Sequence, residues 1–127
     1  MLKKNSVNGK GYGNMKFIVL GATGMAGQTI SLYLHEQGYD VTTFSKNPFP
    51  YCKNINGDAT NASFVLSIIK DGNYDIVINC IGILNKECDE EPSRAVYLNS
   101  YLPHLIADTF RNSNTKLIHI STDCVFS

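Results

Sequence analysis

The sequence predicts an α/β fold: a parallel sheet with helices on both faces. Three observations carry that prediction. Short apolar runs alternate with segments of helical periodicity, each run ends in glycine or a polar residue, and the motif-bearing stretches fall just after the runs.

Lys16-Phe17-Ile18-Val19-Leu20 is a short apolar run closed by glycine, the pattern of a strand buried on both faces. Thr23 to Gln37 carries helical spacing, with Ile30, Tyr33, Leu34 and Gln37 along one side and Gly38 as the stop. Asp40 to Phe44 is β-branched and short, a second strand. A loop from Ser45 to Asn56 follows, punctuated by Pro48 and Pro50, with a short strand near Ile55. Ala62, Val65, Leu66 and Ile69 give a helix with one buried face, and Asp75 to Cys80 another buried strand. Asp89 to Pro92 reads as a solvated acidic turn. Ala95, Leu98, Leu102, Leu105, Ile106 and Phe110 form a third amphipathic helix, and Lys116 to Ser121 the last strand. Pro103 lies inside that helix and cannot donate to the Asn99 carbonyl, so either the helix kinks or holds a bound water at Asn99, or it starts near Pro103.

The resulting order, β-α-β-(β)-α-β-α-β, implies right-handed crossovers. In such sheets ligands bind beyond the carboxyl ends of the strands, where the connections diverge.

The chain has 127 residues, enough for one domain. It is 43% hydrophobic and 17% charged, and 11 basic residues balance 11 acidic ones. Zero net charge argues against nucleic acid or an anionic membrane surface as the partner. No apolar run approaches the roughly 18 residues of a membrane span. Cys52, Cys80, Cys88 and Cys124 form no CxxC pair and follow no secretory signal, so neither a metal site nor a disulfide framework is expected. Buried free thiols in a reducing cytoplasm are the reading for Cys80 and Cys124. Residues 1–14 are polar and aperiodic; they read as a disordered leader, with residues 15–127 as the domain.

Gly21, Gly24 and Gly27 follow the first strand and open the first helix. Gly21 suits a tight strand-to-helix turn. Gly24 lacks a side chain that would hold a pyrophosphate away from the helix amides. Gly27 lets the helix lie close to the sheet. That is the signature of a dinucleotide-binding, Rossmann-type unit. The end of the second strand, Phe44-Ser45-Lys46-Asn47, has no acid to hold a ribose 2′-hydroxyl. Ser45 and Lys46 suit a 2′-phosphate, favouring NADP over NAD, although Lys46 also reads as an ordinary solvated loop charge.

Three stretches, Gly21–Gly27 (GATGMAG), Val77–Gly82 (VINCIG) and Ile120–Ser127 (ISTDCVFS), make the chain resemble the extended short-chain dehydrogenase/reductase superfamily. It looks most like the dTDP-4-dehydrorhamnose reductase branch of sugar-nucleotide reductases. The resemblance implies that Gly21, Thr23, Gly24, Met25 and Gly27 frame the cofactor pyrophosphate. It implies that Asp58 contacts the adenine; on the residues alone, Asp58 also reads as a helix N-cap. Asn79, Cys80, Ile81 and Gly82 match the loop that lies along the cofactor. The family's usual alanines are absent there, and the bulkier Ile81 is expected to narrow the nicotinamide approach.

Thr122 matches the catalytic Ser/Thr whose hydroxyl bonds the reacting oxygen; alone, it would read equally as a strand-end cap. Asp123 and Cys124 match positions lining the substrate site, with Cys124 standing where an aromatic residue is usual. Asparagine at the Asn99 position is linked in related reductases to a water-mediated proton relay.

The superfamily's Tyr-x-x-x-Lys pair follows the Thr122 region and does not appear before Ser127. Tyr97 and Tyr101 have no lysine four residues on, and Tyr12 with Lys16 precedes the first strand. The expectation is the cofactor-binding part of a nucleotide-sugar reductase, incomplete relative to the family and lacking the acid that hydride transfer needs. The alternative is a non-catalytic dinucleotide-binding module or a truncated epimerase/dehydratase-like protein. An open sheet edge is expected to favour poor solubility or self-association.

Overall fold

The computed structural model describes residues 15–22, 24–81, 93 and 97–120. Five strands form one parallel sheet: β1 (Lys16–Leu20), β2 (Asp40–Ser45), β3 (Lys53–Asn56), β4 (Ile76–Asn79) and β5 (Lys116–His119), in spatial order β3-β2-β1-β4-β5. The expected sheet is therefore present, and its short strand near Ile55 is β3. All four pairings are parallel, with Leu20 opposite Phe44 on one side and Asn79 on the other. The chain runs outward from β1 to β3, then returns across the sheet to β4. The connections from β1 and β4 thus lead to opposite sides of the sheet, and in sheets of this order ligands bind at the carboxyl ends between them.

Helix α1 (Met25–Glu36) covers one face, where Leu34 packs with Phe17, Val19, Val41 and Ile78. Helices α2 (Ala62–Gly72) and α3 (Leu102–Thr109) cover the other. There Val65, Ile69, Leu102 and Ile106 bury themselves against Ile18, Leu20, Phe44 and Val77. Alternation along β1 explains both layers: Phe17 and Val19 point one way, Ile18 and Leu20 the other.

Two helix ends depart from expectation. The N-cap of α2 is Asn61, whose Oδ1 accepts the Phe64 amide at 3.2 Å, so the capping alternative for Asp58 is set aside. Asp58 lies earlier, accepting the Thr60 amide and hydroxyl at 2.9 and 2.8 Å. Of the alternatives expected for Pro103, the structure shows a helix start, preceded by a turn the sequence did not signal. A π-helical turn, Tyr97–Tyr101, leads into α3, and Pro103 sits in the first turn of α3. In that first turn a missing amide costs no ladder bond, while the wide turn ahead takes up the break at the Asn99 carbonyl. The acidic stretch 89–92, Cys88 and Ser121 lie outside the described residues.

Replacing Asn61 by alanine removes one cap bond and is expected to lower stability by about 1 kcal/mol in urea unfolding. Asp58→Ala should leave α2 capped, its cost coming from the Asp58–Thr60 turn instead.

Candidate functional site

At the carboxyl end of β1 the chain turns through Gly21, at φ +84°. Side chains avoid that backbone region, and glycine enters it without strain. The Gly21 amide donates to the Phe44 carbonyl at 2.7 Å, fastening the turn to the end of β2. A Cβ on Gly21 would lie 3.0 Å from the Cys80 carbonyl carbon and the Ile81 nitrogen, so the turn also abuts the segment leaving β4.

The other two glycines do different work. A Cβ on Gly27 would stand 2.1 Å from the Gly21 carbonyl oxygen, a distance no packed structure tolerates. Helix α1 therefore rests directly on the glycine turn. Among the described residues, a Cβ on Gly24 would meet only that same oxygen, at an ordinary 3.6 Å.

Gly24 caps α1 with no side-chain hydrogen bond, and the first turn carries no acid. The first helical bond runs from the Gln28 amide to the Gly24 carbonyl at 2.8 Å. The amides of Met25, Ala26 and Gly27 thus precede the ladder, at the positive end of the helix dipole. Gly24, Met25 and Ala26 are exposed, Met25 at 88%. Uncapped amides, an open Gly24 and no competing carboxylate in the first turn fit an anionic phosphate group.

The segment leaving β4 is set by Asn79, a residue sequence reasoning passed over as part of the loop. It is fully buried. Its Oδ1 accepts the Ile81 amide at 3.1 Å, and its Nδ2 lies 3.2 Å from His119 Nδ1 on β5. With Nδ2 as donor, His119 Nδ1 is the acceptor. The signal was an amide closing an otherwise aliphatic strand, a placement that must be satisfied when buried.

Beyond Asn79 comes Ile81, whose bulk was expected to narrow the nicotinamide approach. It is 9% exposed and packs into the core with Leu20, Phe44 and Leu102, so its extra bulk points inward. Cys80 is half-buried, and burial pushes its thiol up to about 11, above the ordinary value near 9. It stays a neutral thiol near neutral pH, and is a free thiol less buried than expected. Cys52 is likewise raised by burial.

At the end of β2, Ser45 is 4% exposed. Its oxygen lies 2.6 Å from the Asn47 carbonyl and 3.1 Å from Asn54 Oδ1, both acceptors. A hydroxyl has one hydrogen, and here the turn engages it. Ser45 is thus corrected from a phosphate donor to a former of the turn. Lys46 is exposed and makes no ion pair with any described residue.

Beyond β3, Tyr97 of the π-helical turn donates to the Ala59 carbonyl at 3.2 Å, next to Asp58. Burial, then the neighbouring Tyr101 and Asp58, hold the Tyr97 hydroxyl above its usual range and keep it a donor.

The fold therefore brings Gly21, Gly24, Met25, Gly27, Cys80, Ile81, Ser45, Lys46 and Asp58 to one end of the sheet. Thr23, Gly82, Thr122, Asp123 and Cys124 lie outside the described residues. Lys16 is at the opposite end, its Nζ donating to the Gly72 carbonyl at 2.8 Å and lying over the Tyr74 ring. That contact gives the Tyr12–Lys16 spacing no part in the site.

The NAD dependent epimerase/dehydratase family matches residues 17–127. The chain belongs to this family. Among curated relatives, it is 30% identical over 115 residues to the probable low-salt glycan biosynthesis reductase Agl14 of Haloferax volcanii, covering 88% of this chain and 38% of that protein. A dTDP-4-dehydrorhamnose reductase from Streptomyces griseus is 28% identical over 116 residues, covering 91% of this chain and 36% of that protein.

Among solved structures, an epimerase from Methanothermobacter thermautotrophicus superposes with TM-score 0.74 at 15% identity, covering 91% of this chain and 38% of that one. UDP-glucose 4-epimerase from Bifidobacterium longum, in complex with NAD+ and UDP, gives 0.70 at 21% identity, covering 86% and 37%. At those identities the structures establish the fold. The chain spans little more than a third of the length of these family members. No helix among the described residues is long and apolar enough to cross a membrane.

The two glycines of α1 should separate cleanly by mutation. Gly27→Ala is expected to lower unfolding stability by about 2 kcal/mol or more through overpacking. Gly24→Ala should stay within about 0.5 kcal/mol of the parent in the same urea titration. Its effect should appear in nucleotide affinity.

Cys80 yields a second expectation. The folded chain keeps the thiol proton where the unfolded chain has lost it, so this group's contribution to stability is lost as pH rises from about 9 towards 11. At pH 8 its alkylation by iodoacetamide should be at least about tenfold slower in the folded chain than in urea.

Proposed function

We propose that this chain binds NADP and forms the cofactor-binding part of a nucleotide-sugar reductase. The carrying observation is the start of α1, where uncapped amides and the open Gly24 face a space free of first-turn acid. Family membership and relatives named as reductases support the same reading.

In this reading Gly21, Gly24, Met25 and Gly27, together with Thr23, frame the pyrophosphate. Lys46 meets a ribose 2′-phosphate as a point charge, where an NAD-preferring site would carry an acid. The loop Gly57–Thr60 and its carboxylate Asp58 border the adenine, and Cys80, Ile81 and Gly82 line the path towards the nicotinamide. NAD remains the alternative cofactor, with Lys46 then a solvated loop charge.

The activity and the sugar belong to a protein about two and a half times this chain's length, as its relatives are. The proposed reaction is NADPH-dependent reduction of a 4-keto-6-deoxy nucleotide sugar, of the kind that feeds rhamnose and polysaccharide biosynthesis. When bound, the dinucleotide supplies the hydride. Thr122 donates a hydrogen bond to the reacting oxygen, and Asp123 and Cys124 line the sugar site. A cytoplasmic location and self-association go with this reading; nucleic acid and membrane do not.

Titration with NADPH and NADH, followed by melting temperature, tests the cofactor assignment. NADPH at about 100 times its Kd should stabilise the fold by about 2.7 kcal/mol. NADH should bind about tenfold more weakly, the worth of one charge-assisted contact. A melting curve unmoved by either nucleotide would overturn the proposal, and equal affinities would return Lys46 to the role of a solvated charge.

A further inference from the structure

The exposed Lys46 side chain springs from a backbone held by a neighbouring strand. β2 and β3 pair with Thr43 opposite Asn54 and Ser45 opposite Asn56. The Asn56 carboxamide reaches across to the turn after β2. Its Nδ2 lies 3.5 Å from the Ser45 carbonyl oxygen and 3.4 Å from the Lys46 carbonyl oxygen. The first carbonyl belongs to the peptide plane entering Lys46, and the second to the plane leaving it. One amide with two hydrogens therefore reaches both planes that set the direction of the Lys46 Cα–Cβ bond, the first of which the Gly57 amide also holds at 3.1 Å.

The carboxamide is itself braced. Asn56 Oδ1 accepts Asn54 Nδ2 at 3.3 Å, and Asn54 Oδ1 accepts the buried Thr43 hydroxyl at 2.6 Å. Thr43 also lies 3.1 Å from the Lys53 carbonyl. On the turn's far side the Ser45 hydroxyl holds the Asn47 carbonyl at 2.6 Å. A line of side chains thus runs from a fully buried threonine to the backbone of one exposed lysine. Nothing in the folding of a short outer strand requires asparagine at both 54 and 56, since the residue type is a poor strand former.

We propose that Asn56, braced by Asn54, is a positioning residue for cofactor choice: it aims Lys46 at the 2′-substituent of the adenosine ribose. The inference rests on the reading of Lys46 as the 2′-phosphate contact. It adds that the preference depends on a residue that touches no cofactor atom. Long hydrogen bonds of this kind are individually weak, so their effect falls on the precision of the lysine rather than on the stability of the sheet.

The test measures Kd for NADPH and NADH in the full chain, its Asn56→Ala, Asn54→Ala and Lys46→Ala variants, and the Lys46→Ala/Asn56→Ala pair. Asn56→Ala is expected to lower the NADPH-over-NADH affinity ratio about three- to tenfold, with NADH affinity within about twofold of the parent. Asn54→Ala should act in the same direction more weakly, and serves alone should Asn56→Ala fail to fold. In the Lys46→Ala background Asn56→Ala should change the ratio no further, because the two act through one contact.

An unchanged ratio in Asn56→Ala or Asn54→Ala, while Lys46→Ala loses the preference, overturns the positioning role and leaves the Lys46 reading standing. So does a ratio change that simply adds in the double variant. An unchanged ratio in Lys46→Ala removes the 2′-phosphate reading, and the positioning role with it.

Discussion

The contact between Gly27 and the Gly21 carbonyl is the constraint on which the site depends. With hydrogen at both α-carbons, α1 settles against the turn that feeds it, and its first amides stand directly over the end of β1. Any side chain at 27 would force helix and turn apart by roughly 1 Å, given the 2.1 Å approach. The amides would move with the helix. The same Gly21 backbone is tied to Phe44 of β2 and abuts Cys80 and Ile81 beyond β4. One glycine turn therefore indexes three strand ends to each other.

The sheet order makes that indexing useful. The connections from β1 and β4 lead to opposite sides of the sheet, so their carboxyl ends lie at the switch point where sheets of this order open a crevice. Asn79 then keeps the β4 side of this crevice fixed, binding its own loop at Ile81 and β5 at His119. A buried amide unsatisfied at this point would cost about 1–3 kcal/mol, so its two partners are also what make the residue tolerable. On the other side, Asn56 does for Lys46 what Asn79 does for Ile81. In both places a carboxamide at a strand's end shapes the backbone just beyond a neighbouring or adjoining turn.

Much of this was legible in the sequence, for identifiable reasons. Strands such as KFIVL and IVIN are short, aliphatic and bounded by glycine or polar residues, so their existence and burial follow from composition. The roles of Gly21 and Gly27 follow from spacing because glycine's freedom and lack of volume are local properties. The direction of the Ile81 side chain was not legible, because only the packed core decides it. Ser45 was misjudged because a hydroxyl has a single hydrogen, and its partners Asn47 and Asn54 lie on a turn and another strand. The capping of α2 moved from Asp58 to Asn61 because several polar residues in succession can cap, and backbone geometry chooses among them. Pro103 was ambiguous for a similar reason: a missing amide signals a break, while a π-helical turn and a helix start both accommodate it.

The most direct measurement is to follow backbone amide resonances of the isotopically labelled chain while adding inorganic pyrophosphate, and then NADPH. If the start of α1 is the anion site, the amides of Gly24, Met25, Ala26 and Gly27 should shift first and furthest with pyrophosphate. NADPH should extend the shifts to Lys46 and the Asp58 loop. Shifts centred elsewhere, with residues 24–27 unmoved by both ligands, would contradict the account.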